Sequence, residues 1–257
     1  MRMLVSYVLE DIATTSTYKF GHLISEYLEG KGFNVTRLDG FKCTRDFLFL
    51  SLLDAKNLVI YAGHGVEDAL VGFSFPNYWI GRPFVGFDNA DWLSGKIVYA
   101  IACLSGRKLA KKAIESGAVA YFGAVDVMYV GFMMERNYMD DFIETWIEPI
   151  IQLINGKTVQ EAYDAYIQKC NYFIELYKSN IDKWPNADWH LHALEHNRDV
   201  FKVFGDKNAT LKDTKPSTTK IEIFKTLLSL SPIALAVATA PIWVPLVKKE
   251  LEKRGIL

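Results

Sequence analysis

Cysteine is scarce in this chain. Three among 257 residues, Cys43, Cys103 and Cys170, are odd in number and widely spaced, which excludes a disulfide framework and points to a reducing setting such as the cytosol. A basic start followed by an apolar core is also missing from the N-terminus, so the opening residues do not read as a secretory signal. Charge of one sign is lacking too: 29 Lys and Arg stand against 30 Asp and Glu, a net charge of −1. Without a basic excess or patch, DNA and RNA are not expected partners. No Gly-x-Gly-x-x-Gly or Walker pattern follows any apolar run, so nucleotide binding has no support and no cofactor is expected.

What the chain does contain is apolar residues, half of the total, in short runs that alternate with helical patterns. Residues 3–9, 33–38, 57–62, 96–102 and 118–124 read as strands, and 17–30, 45–53 and 106–116 as helices. In the last of these helices Leu109, Ala113 and Ile114 fall on one face, with Arg107, Lys108, Lys111 and Lys112 on the other. Residues 132–153 and 158–178 follow as amphipathic helices. Apolar strands alternating with helices define an α/β fold, a doubly wound, mostly parallel sheet covered on both faces.

Two residues stand just past strand ends. Run 57–62 stops at Gly63-His64-Gly65, and run 96–102 stops at Cys103-Leu104-Ser105-Gly106. On neighbouring parallel strands both side chains would emerge at the carboxyl edge of the sheet, where open α/β folds bind ligands. A thiolate attacks carbonyl carbon, and an imidazole beside it takes its proton or holds the ion pair. Gly65, lacking a Cβ, allows close backbone approach, so its N–H and that of Cys103 are candidates for an oxyanion hole. Either residue alone would ordinarily be inert; the pairing, with a strand before each, is what points to catalysis.

The segments Tyr61-Ala62-Gly63-His64-Gly65, Ala102-Cys103-Leu104-Ser105-Gly106 and 116–124 (SGAVAYFGA) resemble the caspase-like cysteine peptidases of clan CD, nearest the gingipain-type and CHAT-domain branches. Residues 200–211 add a likeness to the strand and Gly-Asp turn that closes the gingipain-type domain, with Lys207 where a proline is usual. The resemblance spans about residues 1–211. It implies His64 as general acid and base, Cys103 as nucleophile, Gly65 and Cys103 as oxyanion donors, a protein or peptide substrate, and no third catalytic member. Ile101 stands where the caspases themselves carry a polar pocket residue. Gingipain-type relatives cut after basic residues through an acidic pocket; Asp126, Asp11, Glu67 and Asp68 are the acidic candidates for one here. The aromatic stretch 66–95 reads as a wall of the substrate groove or as cover for a sheet edge. His192 and His196 are spaced for one helical face, but two ligands fall short of a zinc site, so no metal is expected.

The C-terminal part changes character. Residues 205–225 form a polar linker whose Lys207, Lys212, Lys215 and Lys220 mark a candidate self-cleavage region. Residues 226–247 follow without one charge, long enough as a helix of about 33 Å to cross a hydrocarbon core of about 30 Å. Trp243 suits an interfacial anchor, and residues 248–257 form a basic tail. Pro232, Pro241 and Pro245 leave open a kinked hairpin or a tail packed on a partner. The expectation is a catalytic domain over 1–204, facing the cytoplasm, on a single-pass C-terminal membrane anchor; no regulatory partner is named by the sequence. The competing expectation is an inactive caspase-like or flavodoxin-like binding module with a membrane-targeting tail.

Overall fold

The structure is a computed structural model, described for residues 1–54, 56–73, 83–131 and 137–215. Its centre is a six-stranded sheet. Strand β1 (Arg2–Tyr7) leads into helix α1 (Ile12–Gly30), then β2 (Asn34–Asp39), α2 (Arg45–Leu52) and β3 (Leu58–Ala62). A two-stranded hairpin, β4 (Gly65–Val66) and β5 (Ala69–Leu70), precedes β6 (Ile97–Ile101), α3 (Leu109–Glu115) and β7 (Ala120–Ala124). Helices α4 (Tyr138–Ile154), α5 (Val159–Lys178) and α6 (Ala187–Val200) lead to the last strand, β8 (Phe201–Gly205).

The strand order is β2-β1-β3-β6-β7-β8. All pairings are parallel except that of β7 with β8. The expected mostly parallel sheet is therefore present, with an antiparallel edge. Every residue of β3, β6 and β7 is buried, which is why these strands read as unbroken apolar runs. Alternation then sorts their side chains. Val5, Ile60, Tyr99 and Phe122 join Phe20 of α1, Trp146 of α4 and Tyr166 of α5 in the main core. The intervening Leu4, Val59, Val98 and Tyr121 point to the opposite face. Each such side chain, fully buried, contributes on the order of 2 kcal/mol.

Several boundaries differ from the sequence reading, each for a local reason. Helix α1 starts at Ile12, five residues before the expected 17, because Asp11 caps it: the Asp11 carboxylate accepts from Thr14 N–H, and the Thr14 hydroxyl bonds back. Helix α3 starts at Leu109 rather than 106. Residues 104–107 are held instead in a turn closed by Arg107 N–H on Leu104 O at 2.9 Å. The tract around His192, where the histidine spacing fits one helical face, is the body of α6.

Two compact units divide the chain, Met1–Ser217 and Thr218–Leu257. The second lies outside the described residues, and with it the apolar run 226–247, the basic tail and the end of the linker. Among the described residues no helix is long and apolar enough to cross a membrane.

Candidate active site

Register decides which loop tips meet. Ala62 of β3 pairs with Ile101 of β6, so two further residues along each strand bring the chain to His64 and Cys103 at the same level. On the other side of β3, Tyr7 of β1 pairs with Ala62, and the turn after β1 delivers Asp11. From β1 the chain crosses outward to β2, and from β3 it crosses the other way to β6. The gap between β1 and β3 is thus the topological switch point, the place where such sheets leave a crevice.

At that crevice Asp11 meets His64. The imidazole Nε2 lies 2.8 Å from Asp11 Oδ2, while Oδ1 of the same carboxylate accepts from Thr14 N–H at 2.9 Å. Partial burial pushes the Asp11 carboxyl upward, but the hydrogen bonds from Thr14 and then His64 outweigh it and hold it below its ordinary value. An ionised carboxylate accepts only, so the imidazole must carry its proton on Nε2, and Nδ1 is left free in the neutral ring. The His64 backbone is fixed as well. Its carbonyl accepts from Val71 N–H at 3.0 Å and from the hydroxyl of buried Tyr61 at 2.9 Å.

Cys103 is partly exposed, whereas Cys43 and Cys170 are buried. Its sulfur accepts from Met128 N–H at 3.3 Å, and among the described residues no hydrogen bond joins it to His64. Leu104, directly after it, has φ of 59°. A non-glycine residue held in the left-handed region costs of order 1 kcal/mol or more and requires firm neighbours. These are present: Leu104 N–H donates to Asp126 O at 3.1 Å and Gly106 N–H to Ala124 O at 2.8 Å.

Gly65 links the two tips. A Cβ there would lie 2.5 Å from the Cys103 carbonyl oxygen and 2.9 Å from Ala102 Cβ, so the absence of a side chain is what lets the histidine loop lie on the cysteine loop. Because Val71 N–H donates to His64 O, Gly65 and Leu70 form a non-hydrogen-bonded pair of the hairpin, and the Gly65 N–H points away from the ladder. Neither this N–H nor that of Cys103 meets an acceptor among the described residues. His64 and Cys103 line one cavity of about 50 Å³ together with Thr14, Gly63, Met128 and Trp146. That volume matches one or two waters.

None of the four acidic candidates lines this cavity, although Asp11 reaches the His64 ring that does. Glu67 is held by Lys108 Nζ at 2.6 Å and Arg107 Nη1 at 2.9 Å, contacts that lower its carboxyl, Lys108 foremost. Asp126 accepts from Val127 N–H at 2.9 Å and lies 3.5 Å from Arg107. Asp68 is exposed between β4 and β5. The structure therefore brings Asp11 to the imidazole and leaves the other three on the outer rim. Of the aromatics in 66–95, Phe84 is buried against Tyr61 and Trp92 packs on Phe49; residues 74–82 lie outside the described set. His196 bonds through Nε2 to Val127 O at 2.9 Å, and no group of three metal-ligating side chains occurs among the described residues.

The pairing of Asp11 with His64 escaped the sequence, which offered Asp11 only as a candidate for an acidic specificity pocket. Its signal was positional: an acidic residue after the strand that neighbours the histidine strand.

No family profile matches the chain, and no curated protein matches it by sequence. Among solved structures it is similar to the Arg-specific cysteine proteinase gingipain R, with a TM-score of 0.54 and 15% identity over 84% of this chain and 48% of that one. A complex of the Porphyromonas gingivalis RgpB pro- and mature domains gives a TM-score of 0.49 at 16% identity, again over 84% and 48%. A structure described as a protease gives 0.49 at 13%, over 81% and 48%. The chain spans about half the length of these proteins. At such identity the likeness to gingipain R is one of fold: a caspase-like α/β sheet.

Proposed function

We propose that this chain is a cysteine endopeptidase working through Cys103 and His64, with Asp11 orienting the imidazole. The observation that carries the reading is the strand register that brings His64 and Cys103 level at one sheet edge, with a carboxylate on Nε2 of the ring. In the reaction the Cys103 thiolate attacks the scissile carbonyl, and the N–H groups of Gly65 and Cys103 receive the developing oxyanion. His64 passes the proton taken from the thiol to the leaving amine as the C–N bond breaks, leaving a thioester on Cys103. Water, deprotonated by His64, then splits the thioester and restores the thiol. Asp11 stabilises the imidazolium that forms in both halves.

Hydrolysis of a quenched peptide, together with labelling of Cys103 by a peptidyl acyloxymethyl ketone, tests the reading. Both should vanish in Cys103→Ala, and both should fall by at least about 100-fold in His64→Ala. An unlabelled Cys103 in wild-type protein would favour the inactive binding module instead.

A preference for Arg or Lys before the cut would draw on Asp126, which follows β7 beside the cysteine loop and whose ion pair with Arg107 is long at 3.5 Å, whereas Asp11 and Glu67 are held at 2.9 Å or less. A peptide panel cleaved only after Asp or Asn would rule it out. The membrane anchor is proposed from the charge-free composition of 226–247 alone. Release into the soluble fraction by alkaline carbonate rather than by detergent would reject it.

A further inference from the structure

The loop after β7 is gripped by helix α6, and the grip ends on the sulfur. Asn197, on the last turn of α6, is fully buried. Its Oδ1 accepts from Tyr129 N–H at 2.8 Å, and its Nδ2 donates to Tyr129 O at 2.7 Å. One side chain thus holds both backbone groups of a residue 68 positions away. The neighbouring His196 bonds to Val127 O at 2.9 Å, and Val125 N–H donates to Val200 O at 2.9 Å. Between these fixed points lies Met128, whose N–H donates to Cys103 Sγ at 3.3 Å.

The 3.3 Å hydrogen bond from Met128 N–H is worth more to the thiolate than the 4.0 Å contact of the S–H with Met128 O is to the thiol, so a donor held in place favours the attacking form of the sulfur. A loop free to sag would lose that donor. We propose that Asn197 is a positioning residue for the nucleophile: by clamping Tyr129 it keeps the Met128 N–H aimed at Cys103 and so favours the attacking form of the sulfur. The idea rests on Cys103 being the nucleophile, but its test needs no peptide hydrolysis.

Iodoacetamide alkylation of each cysteine, followed by peptide mass spectrometry across pH in the full chain, reads the effect directly. In Asn197→Leu, which keeps size and loses both bonds, the Cys103 alkylation midpoint should move up by about one pH unit, with roughly tenfold slower labelling at pH 7. Buried Cys43 and Cys170 act as an internal control, since they should stay unlabelled while the variant is folded. Asn197→Asp, which keeps the acceptor for Tyr129 N–H, should lie between wild type and Asn197→Leu. An unmoved midpoint with Cys43 and Cys170 still protected overturns the proposal. Should Asn197→Leu not fold, hydrogen exchange of wild-type protein decides: slow exchange at Tyr129 N–H supports the clamp, and exchange at the rate of an open loop overturns it. A chain that hydrolyses no peptide but shows the shifted midpoint would defeat the peptidase reading and leave the clamp standing.

Discussion

Asp11 performs two jobs with two oxygens, and substitution can separate them. Asn caps a helix about as well as Asp, so Asp11→Asn should leave α1 intact while removing the charge opposite His64. Peptide hydrolysis is expected to fall by about 100-fold while the cap on α1 is kept. Asp11→Ala should also lose the cap, at a cost of about 1 kcal/mol, visible as a lower urea midpoint. The pH dependence has a definite sign. Because the folded Asp11 carboxyl sits below its ordinary value, its stabilisation is present above about pH 4, the unfolded value, and is lost as pH falls through the lower folded value. Urea midpoints of wild type and Asp11→Asn should therefore differ at pH 7 and converge near pH 2.

Among the cysteines, environment rather than residue type decides reactivity. Burial pushes the Cys170 thiol up to about 12 and the Cys43 thiol higher still. At pH 7 a folded chain treated with limiting iodoacetamide should gain one adduct, on Cys103, and three only after denaturation. Equal labelling of all three would show that the site is no more open than the core.

At the scale of elements, the close approach of two loops depends on one glycine. A Cβ at position 65 would meet the Cys103 carbonyl oxygen at 2.5 Å, a backbone atom that cannot swing aside. Gly65→Ala should cost about 1–3 kcal/mol or displace the hairpin from the cysteine loop, and in either case hydrolysis should drop. Gly156, whose Cβ would meet nothing within 4 Å, has a positive φ of 84°. Alanine there should strain the turn after α4 without touching activity, so the pair separates crowding at the site from backbone strain elsewhere. Helix α5 offers a plain stability control. Its capping box pairs the N–H groups of Thr158 and Glu161 with each other's side chains, and Thr158→Ala should cost about 1 kcal/mol in denaturant titration with hydrolysis unchanged.

Much at this scale could be read from the sequence. Runs 57–62 and 96–102 became β3 and β6 almost residue for residue because strands buried on both faces need unbroken apolar side chains. Helix α1 was missed at its start, since Thr14, Thr15, Ser16 and Thr17 look like a cap region, whereas the cap is the acid before them. The turn that delays α3 is held by bonds to Asp126 and Ala124 on the neighbouring strand's side, which no local pattern announces.

For the molecule as a whole, the antiparallel β8 has a consequence the parallel strands do not share. It brings the end of α6 beside the end of β7, and so sets Asn197 and His196 against the loop that touches Cys103. The C-terminal third of the domain thereby bears on a nucleophile nearly a hundred residues earlier. Alterations in α6 should change the site without touching it, as the Asn197 experiment is built to detect.

The sequence by itself determined the alternation of strands and helices, the positions of His64 and Cys103 just past two apolar runs, and the glycine beside the histidine. Those are local facts, written in side-chain periodicity and in residues that end strands. Only the tertiary structure decided that Asp11 turns its carboxylate to the imidazole, that Glu67 is taken up by Arg107 and Lys108, and that a backbone N–H from residue 128 reaches the sulfur. Each of these depends on strand order and register, which place residues distant along the chain within hydrogen-bond reach, and neither is encoded in any single segment.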